Sequence, residues 1–111
     1  MKARLRADLR SAMKLGRKGE AALLRELIGA IDNEEAAPRR AEQASLVRHN
    51  FRSGSAEVER RVLGKDQVRG LLLSEAEKRE QAAAEFTRLG KAEAADALRT
   101  EAQLARRYLE E

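Results

Sequence analysis

The strongest apolar pattern in the chain lies in residues 20–35, EAALLRELIGAIDNEE, where Leu23, Leu24, Leu27, Ile28 and Ile31 recur at helical spacing. A stripe of this kind marks a helix with one face to bury. It is the most hydrophobic face in a chain otherwise rich in charge and alanine, so the other elements are read as helices laid against it.

Residues 2–15 read as the first of them, with Leu5, Leu9, Ala12 and Met13 on one face. Gly16 suits the left-handed cap that ends a helix. Gly16 and Gly19 bracket a basic turn, Arg17-Lys18, short enough to make the first two helices an antiparallel hairpin. Within the second helix Gly29 costs about 1 kcal/mol relative to alanine, and the expected return is close approach by another backbone. Pro38 is expected to end that helix, because the residue before a proline is pushed out of helical space. Residues 37–63 then form a long irregular loop with a break at Ser53-Gly54-Ser55. A helical turn at Ala41–Val47 is its most regular part, and Val58, Val62 and Leu63 are expected to pin its end.

A third helix is expected from Gly64 to Leu89. Leu63 and Val68 are placed as a hydrophobic staple around an N-cap at Gly64, with Gln67 at the third position. Val68, Leu72, Ala76, Arg79, Ala83 and Phe86 line one face, Glu75 and Arg79 form an i,i+4 pair, and Gly90 closes the helix. The fourth helix takes Ala92 to about Leu109. Ala95, Leu98, Ala102, Ala105 and Leu109 form a close-packing seam, while Leu104 and Tyr108 widen the stripe toward a second partner, which makes a homodimer one expectation. The resulting fold class is all-α: a small multihelical bundle of about four helices, in one domain over residues 1–111.

Composition supports that reading. With 38% charged residues, one proline and three aromatics (Phe51, Phe86 and Tyr108) among 111 residues, the chain favours long helices around one modest core. It contains no cysteine, so disulfides, thiol nucleophiles and zinc–thiolate sites are excluded. No apolar stretch approaches membrane-spanning length, and the basic N-terminus lacks the apolar region of a signal peptide. A cytoplasmic protein with no membrane role is expected. No HExxH pair, glycine-rich phosphate loop or GxSxG turn is present. The single histidine, His49, has no positioned partner in sequence and reads as solvated. No catalytic residue, cofactor or metal is therefore assigned.

Charge supplies the two candidate sites. The net charge is +4, with seven Lys or Arg against two acids in residues 1–20 and seven against nine in residues 74–111. Lys2, Arg6, Arg10, Lys14 and Arg17 step by four and then three along the first helix, with Lys18 beside them. Such a row suits phosphates along a nucleic acid. The bland alternative is a solvated polar face opposite Leu5 and Leu9, and no aromatic is interleaved to stack bases. The second candidate is Asn33-Glu34-Glu35. Carboxylates at a helix C-terminus oppose the macrodipole, so these residues are read as the rim of a partner-binding groove. Capping by Asn33 and pairing of the acids with nearby arginines form the structural alternative.

The order of these pieces resembles the YqeY family, also called GatB/YqeY-domain proteins. The matching stretches are LRADLRSAMKLGRKGEAALLRELIGAIDNEEA at 5–36 and SAEVERRVLGKDQVRGLLLSEAEKREQAAAEFTRLGKAEAADALRTEAQLARRYL at 55–109. The most specific elements are the AMK before the first turn, the A-I-x-N-E-E of helix two, and the E-K-R…A-A-E-F…L-G-K-x-E-A-A run. The resemblance is to the family's N-terminal helical domain and implies an all-α fold. It also implies a setting in tRNA or aminoacyl-tRNA metabolism. The family label is carbon–nitrogen ligase activity with glutamine as amide donor, inherited from the GatB subunit of the tRNA-dependent amidotransferase. Longer members continue into a GatB-like tail module that meets tRNA, and this chain is expected to lack it. The resemblance thus implies a non-catalytic accessory or binding module, with tRNA or a tRNA-processing protein as partner. A protein-interaction module with no nucleic-acid role is the alternative.

Overall fold

Among the described residues four helices follow one another: α1 (Lys2–Lys14), α2 (Lys18–Asn50), α3 (Lys65–Arg88) and α4 (Ala92–Arg107). This computed structural model describes residues 1–50 and 62–110, with side chains at 1–36 and 62–110. There is no strand among the described residues, and the all-α expectation holds.

Two tight turns set the architecture. Gly16 and Gly90 have φ of +74° and +77°, the left-handed region that glycine enters without steric cost. After α1, the amide of Arg17 donates to the Ala12 carbonyl at 2.8 Å and that of Gly16 to Met13 at 3.2 Å. After α3, Lys91 donates to Phe86 at 2.8 Å and Gly90 to Thr87 at 3.0 Å. Both are Schellman caps, in which the last carbonyls of a helix are satisfied as the chain reverses. Each turn is followed by a helix packed against the one before it, giving an α1–α2 hairpin and an α3–α4 hairpin that meet through α2. The start of α3 is also as expected. The Gly64 amide donates to the Gln67 side chain at 2.9 Å, and Leu63 and Val68 are both buried. Glycine has no side-chain oxygen to return the bond, so only one half of a capping box forms.

The largest fully buried side chains are Leu5, Leu23, Leu24, Leu27, Ile31 and Leu72. Four of these six lie on α2, so its stripe is the centre of the core. Between α3 and α4 the core is made of Ala76, Ala83, Ala95, Ala102 and Ala105, whose small side chains let the two helices come close.

Several expectations are corrected. Helix α2 does not end before Pro38 but runs to Asn50. An internal proline costs about 3 kcal/mol, but the residues after it (RRAEQASLVR) are mostly good helix formers. The expected loop therefore loses residues 37–50 to the helix, and 51–61 lie outside the described residues, as do Phe51, Val58 and the side chain of His49. Helix α2 begins at Lys18, which places Gly19 in its first turn. Val62 is exposed, so Leu63 alone of the described pair pins this end. Met13 is 55% exposed and leaves the α1 core face. Tyr108 is only 4% exposed and belongs to the core, which removes its support for a homodimer.

Gly29 is also corrected, since a Cβ built there meets nothing within 4 Å and no backbone approaches it. Gly29→Ala is therefore expected to stabilise the protein, by about 0.5–1 kcal/mol, through helix propensity and a less flexible unfolded chain. Thermal melting checks this, and a lower midpoint would mean that the space is not open.

Candidate functional site

The basic row on α1 is partly dismantled by the fold. Lys2 Nζ donates to Asp32 Oδ1 and to Glu35 Oε1, both at 2.8 Å. The hydrogen bond to Asp32 and then that to Glu35 raise the pKa of Lys2, because both stabilise its charged form. Lys2 thus ties the start of α1 to α2 and is not available as a phosphate contact.

Arg6, Arg10 and Lys14 are exposed, on the side of α1 away from the buried Leu5 and Ala12. Among the described residues, no ion pair engages any of the three. Successive members are about 6 Å apart along the helix axis. Lys18 is exposed too, and Arg17 makes a long pair with Glu20 at 3.6 Å on an exposed turn. Many other cations are engaged within the protein. Arg106 meets Glu80 at 2.7 Å, Arg99 meets Asp96 at 2.9 Å, Lys78 meets Glu75 at 3.1 Å, and Arg88 pairs with Glu85.

The Asn33-Glu34-Glu35 group also divides. Asn33 and Glu34 are exposed, but Glu35 is 7% exposed and turned to Lys2. Because α2 continues to Asn50, none of the three stands at a helix C-terminus, and the expected conflict with the macrodipole does not arise. A shared rim of three residues is replaced by two outward groups and one buried ion-pair partner.

The expected i,i+4 pair of Glu75 and Arg79 forms, but the sequence reading missed the cluster of which it is part, centred on Arg79, which is 9% exposed on α3. Its Nη2 donates to Glu26 Oε2 at 2.5 Å and its Nε to Glu101 Oε1 at 3.0 Å. Its Nη1 donates to the Glu75 carboxylate at 3.0 Å and to the Glu75 carbonyl at 2.9 Å. Burial works to lower the Arg79 pKa, but the bonds to Glu75, Glu101 and Glu26 outweigh it and leave it raised. The planar guanidinium fork suits this spread of acceptors. One residue thus joins α2, α3 and α4. Four of its five N–H donors go to the internal acceptors named, so its role is structural. The available signal was an arginine on an otherwise apolar stripe, since arginine is rarely buried without acid partners.

Where α4 passes the α1–α2 hairpin, Tyr108 donates its hydroxyl proton to Asp8 Oδ2 at 2.5 Å, and the Arg4 guanidinium lies 4.9 Å from the Tyr108 ring centre. Burial first, and then the bond to Asp8, pushes the Tyr108 hydroxyl well above its ordinary pKa. Beside this cluster are two adjoining clefts of about 240 and 440 Å³. Both are lined by Arg17, Glu20, Leu104 and Arg107; the larger also takes in Leu23, Thr100, Glu101 and Gln103. No grouping of acidic or histidine side chains among the described residues is arranged to hold a metal ion. No described helix is long and apolar enough to cross a membrane.

No family model matches the chain, and neither the curated proteins nor the solved structures include a significant match to it.

Proposed function

We propose that this chain is a non-catalytic accessory module that binds RNA through the outer face of α1, with tRNA metabolism in the cytoplasm as its setting. The observation that carries the reading is the outward row Arg6, Arg10 and Lys14, unpaired among the described residues, where most of the other described cations are used in internal bonds. A regular row of cations gives affinity for phosphates with little sequence specificity. The choice of tRNA rests on the resemblance to YqeY proteins in residues 5–36 and 55–109. On the same ground, the carbon–nitrogen ligase label describes the system this module serves and not a reaction of its own residues.

The test is binding to bulk tRNA at two salt concentrations, for the natural chain and for Arg6→Ala/Arg10→Ala/Lys14→Ala. The variant is expected to lose about 10- to 100-fold in affinity at low salt, and its dependence on log salt should be shallower by about 2–3 units, one for each lost phosphate contact. Unchanged affinity and slope would remove the reading. The competing function, a protein-interaction module with no nucleic-acid role, draws on the exposure of Asn33 and Glu34. It predicts a salt-insensitive protein partner whose capture is lost on Asn33→Ala.

A further inference from the structure

The row on α1 leads toward the cleft against α4. A step of four residues turns about 40° past a full helical revolution. The positions of Arg6, Arg10 and Lys14 therefore wind progressively around α1, from the flank of the core onto the face opposite it, and so in the direction of the face that carries Arg4, Asp8, Ser11 and Leu15. Those four residues line the smaller cleft. Arg17, next in the row, lines both clefts, and Arg107 does so from α4.

The charges inside the cleft favour an anionic occupant. Each of its acids has an internal partner: Asp8 accepts from Tyr108, Glu101 is held by Arg79, and Glu20 lies 3.6 Å from Arg17. Arg107 is exposed and has no partner among the described residues, and the lining of the smaller cleft carries Arg4, Arg17 and Arg107 against Asp8 and Glu20, a surplus of one positive charge, while that of the larger is balanced. Leu104 is half-buried and common to both clefts, with Leu23 behind it in the larger. Thr100 and Gln103 add hydrogen-bonding groups. A volume of about 440 Å³ lies within the roughly 300–1,000 Å³ of small-ligand sites.

We propose that this cleft seats the terminal nucleotide of a bound RNA strand, with a phosphate between Arg17 and Arg107 and the base against Leu104. The inference rests on the RNA-binding reading of α1 and adds a defined end to the path of the strand. Unstacked bases at single-stranded ends pack on arginine guanidinium planes, and bases received into a pocket pack against apolar side chains.

The experiment uses the full chain, isotopically labelled, titrated with adenosine 5′-monophosphate and separately with adenosine, inorganic phosphate and a short peptide ending in a free leucine carboxylate. The monophosphate is expected to shift the amide signals of Gly19, Ala97, Gln103 and Leu104, with the other three probes binding at least about tenfold more weakly. Arg107→Gln should weaken the monophosphate about tenfold or more, the loss of a charge-assisted contact, with the melting temperature unchanged. Leu104→Glu should abolish the shifts. Absence of shifts at the cleft overturns the inference. Equal binding of inorganic phosphate overturns the place given to the base, and preference for the peptide reassigns the cleft to a protein partner. The α1 triple variant separates the two proposals. RNA affinity that depends on the row while the monophosphate leaves the cleft unmoved sinks the cleft alone. Cleft shifts with RNA affinity indifferent to the row sink the α1 reading alone.

Discussion

Arg79→Ala lowers stability by about 3–5 kcal/mol, the range for removing one partner from a buried ionic group. The damage is uneven across its three acids. The Glu26 and Glu101 side chains are 60% and 35% exposed and can be rehydrated, whereas the Glu75 side chain is 13% exposed. Glu75 keeps its bond to Lys78 at 3.1 Å but loses the closer and less exposed arginine. The expected drop in melting temperature at pH 7 is roughly 10–20 °C, and a change within about 2 °C would show that the arginine is not a tie between helices. Lysine does not replace it, having one ammonium where the site needs a planar fork reaching three carboxylates. Arg79→Met combined with Glu75→Leu is expected to recover much of the loss, because removing both members leaves no uncompensated buried charge. The acid dependence has a definite sign. Burial pushes the Glu75 carboxyl up, but the bonds from Arg79 and Lys78 prevail and leave it below its ordinary 4.5. A carboxyl lowered by folding contributes stability that is complete above its unfolded pKa and is lost as pH falls through the folded one. The gap between the natural protein and Arg79→Ala therefore narrows below pH 4.5, where Glu75 protonates in the unfolded chain and then in the folded one.

Much of the fold was legible because local chemistry and tertiary packing agree. The α2 stripe, the glycine caps at 16 and 90 and the staple around Gly64 all stand where spacing placed them. The two hairpin turns are even written alike, as Leu-Gly-Arg at 15–17 and Leu-Gly-Lys at 89–91, with a Glu-Ala-Ala after two further residues in the first and one in the second. The failures occur where a local rule met a longer-range one. Pro38 is a strong local stop, but a helix already nucleated and followed by good formers can continue through it. Met13 is four residues from Leu9 and fits the apolar period of α1, yet it stands about 100° around the helix from the buried Ala12 and points away from the core.

The candidate site was less legible, because a helical wheel shows which cations share a face and not which acids stand across from them. Lys2 belongs to the same row as Arg6 and Arg10, but Asp32 and Glu35 are thirty and thirty-three residues away. The same limit applies to Arg79, whose partners Glu26 and Glu101 come from two other helices. The cleft between Arg17 and Arg107 depends entirely on how one hairpin sits against the other. Periodicity thus identifies the charged faces, and tertiary pairing decides which of their members are left for a ligand.

Leu24→Ala is expected to cost about 3–5 kcal/mol, the upper part of the range for truncating a buried leucine. The reason lies in the make-up of the core. Leu24 is fully buried on α2, the element that contacts all three other helices. A cavity is cheapest where its walls can move inward, since the penalty grows with the volume left empty. Here the α3–α4 pair is already closely packed through Ala76, Ala83, Ala95, Ala102 and Ala105, and alanines have no longer side chain to swing into the gap. The ionic bonds of Arg79 to Glu26 and Glu101 also tie α3 to α4 and to α2, two residues along from Leu24, which restrains the collapse further. Leu24→Met keeps the volume and should cost less than about 1.5 kcal/mol. Denaturant unfolding of both variants checks the argument. A loss near 2 kcal/mol or less for Leu24→Ala would mean that the bundle closes around the cavity, and the alanine-packed helices would then be more mobile against α2 than this core implies.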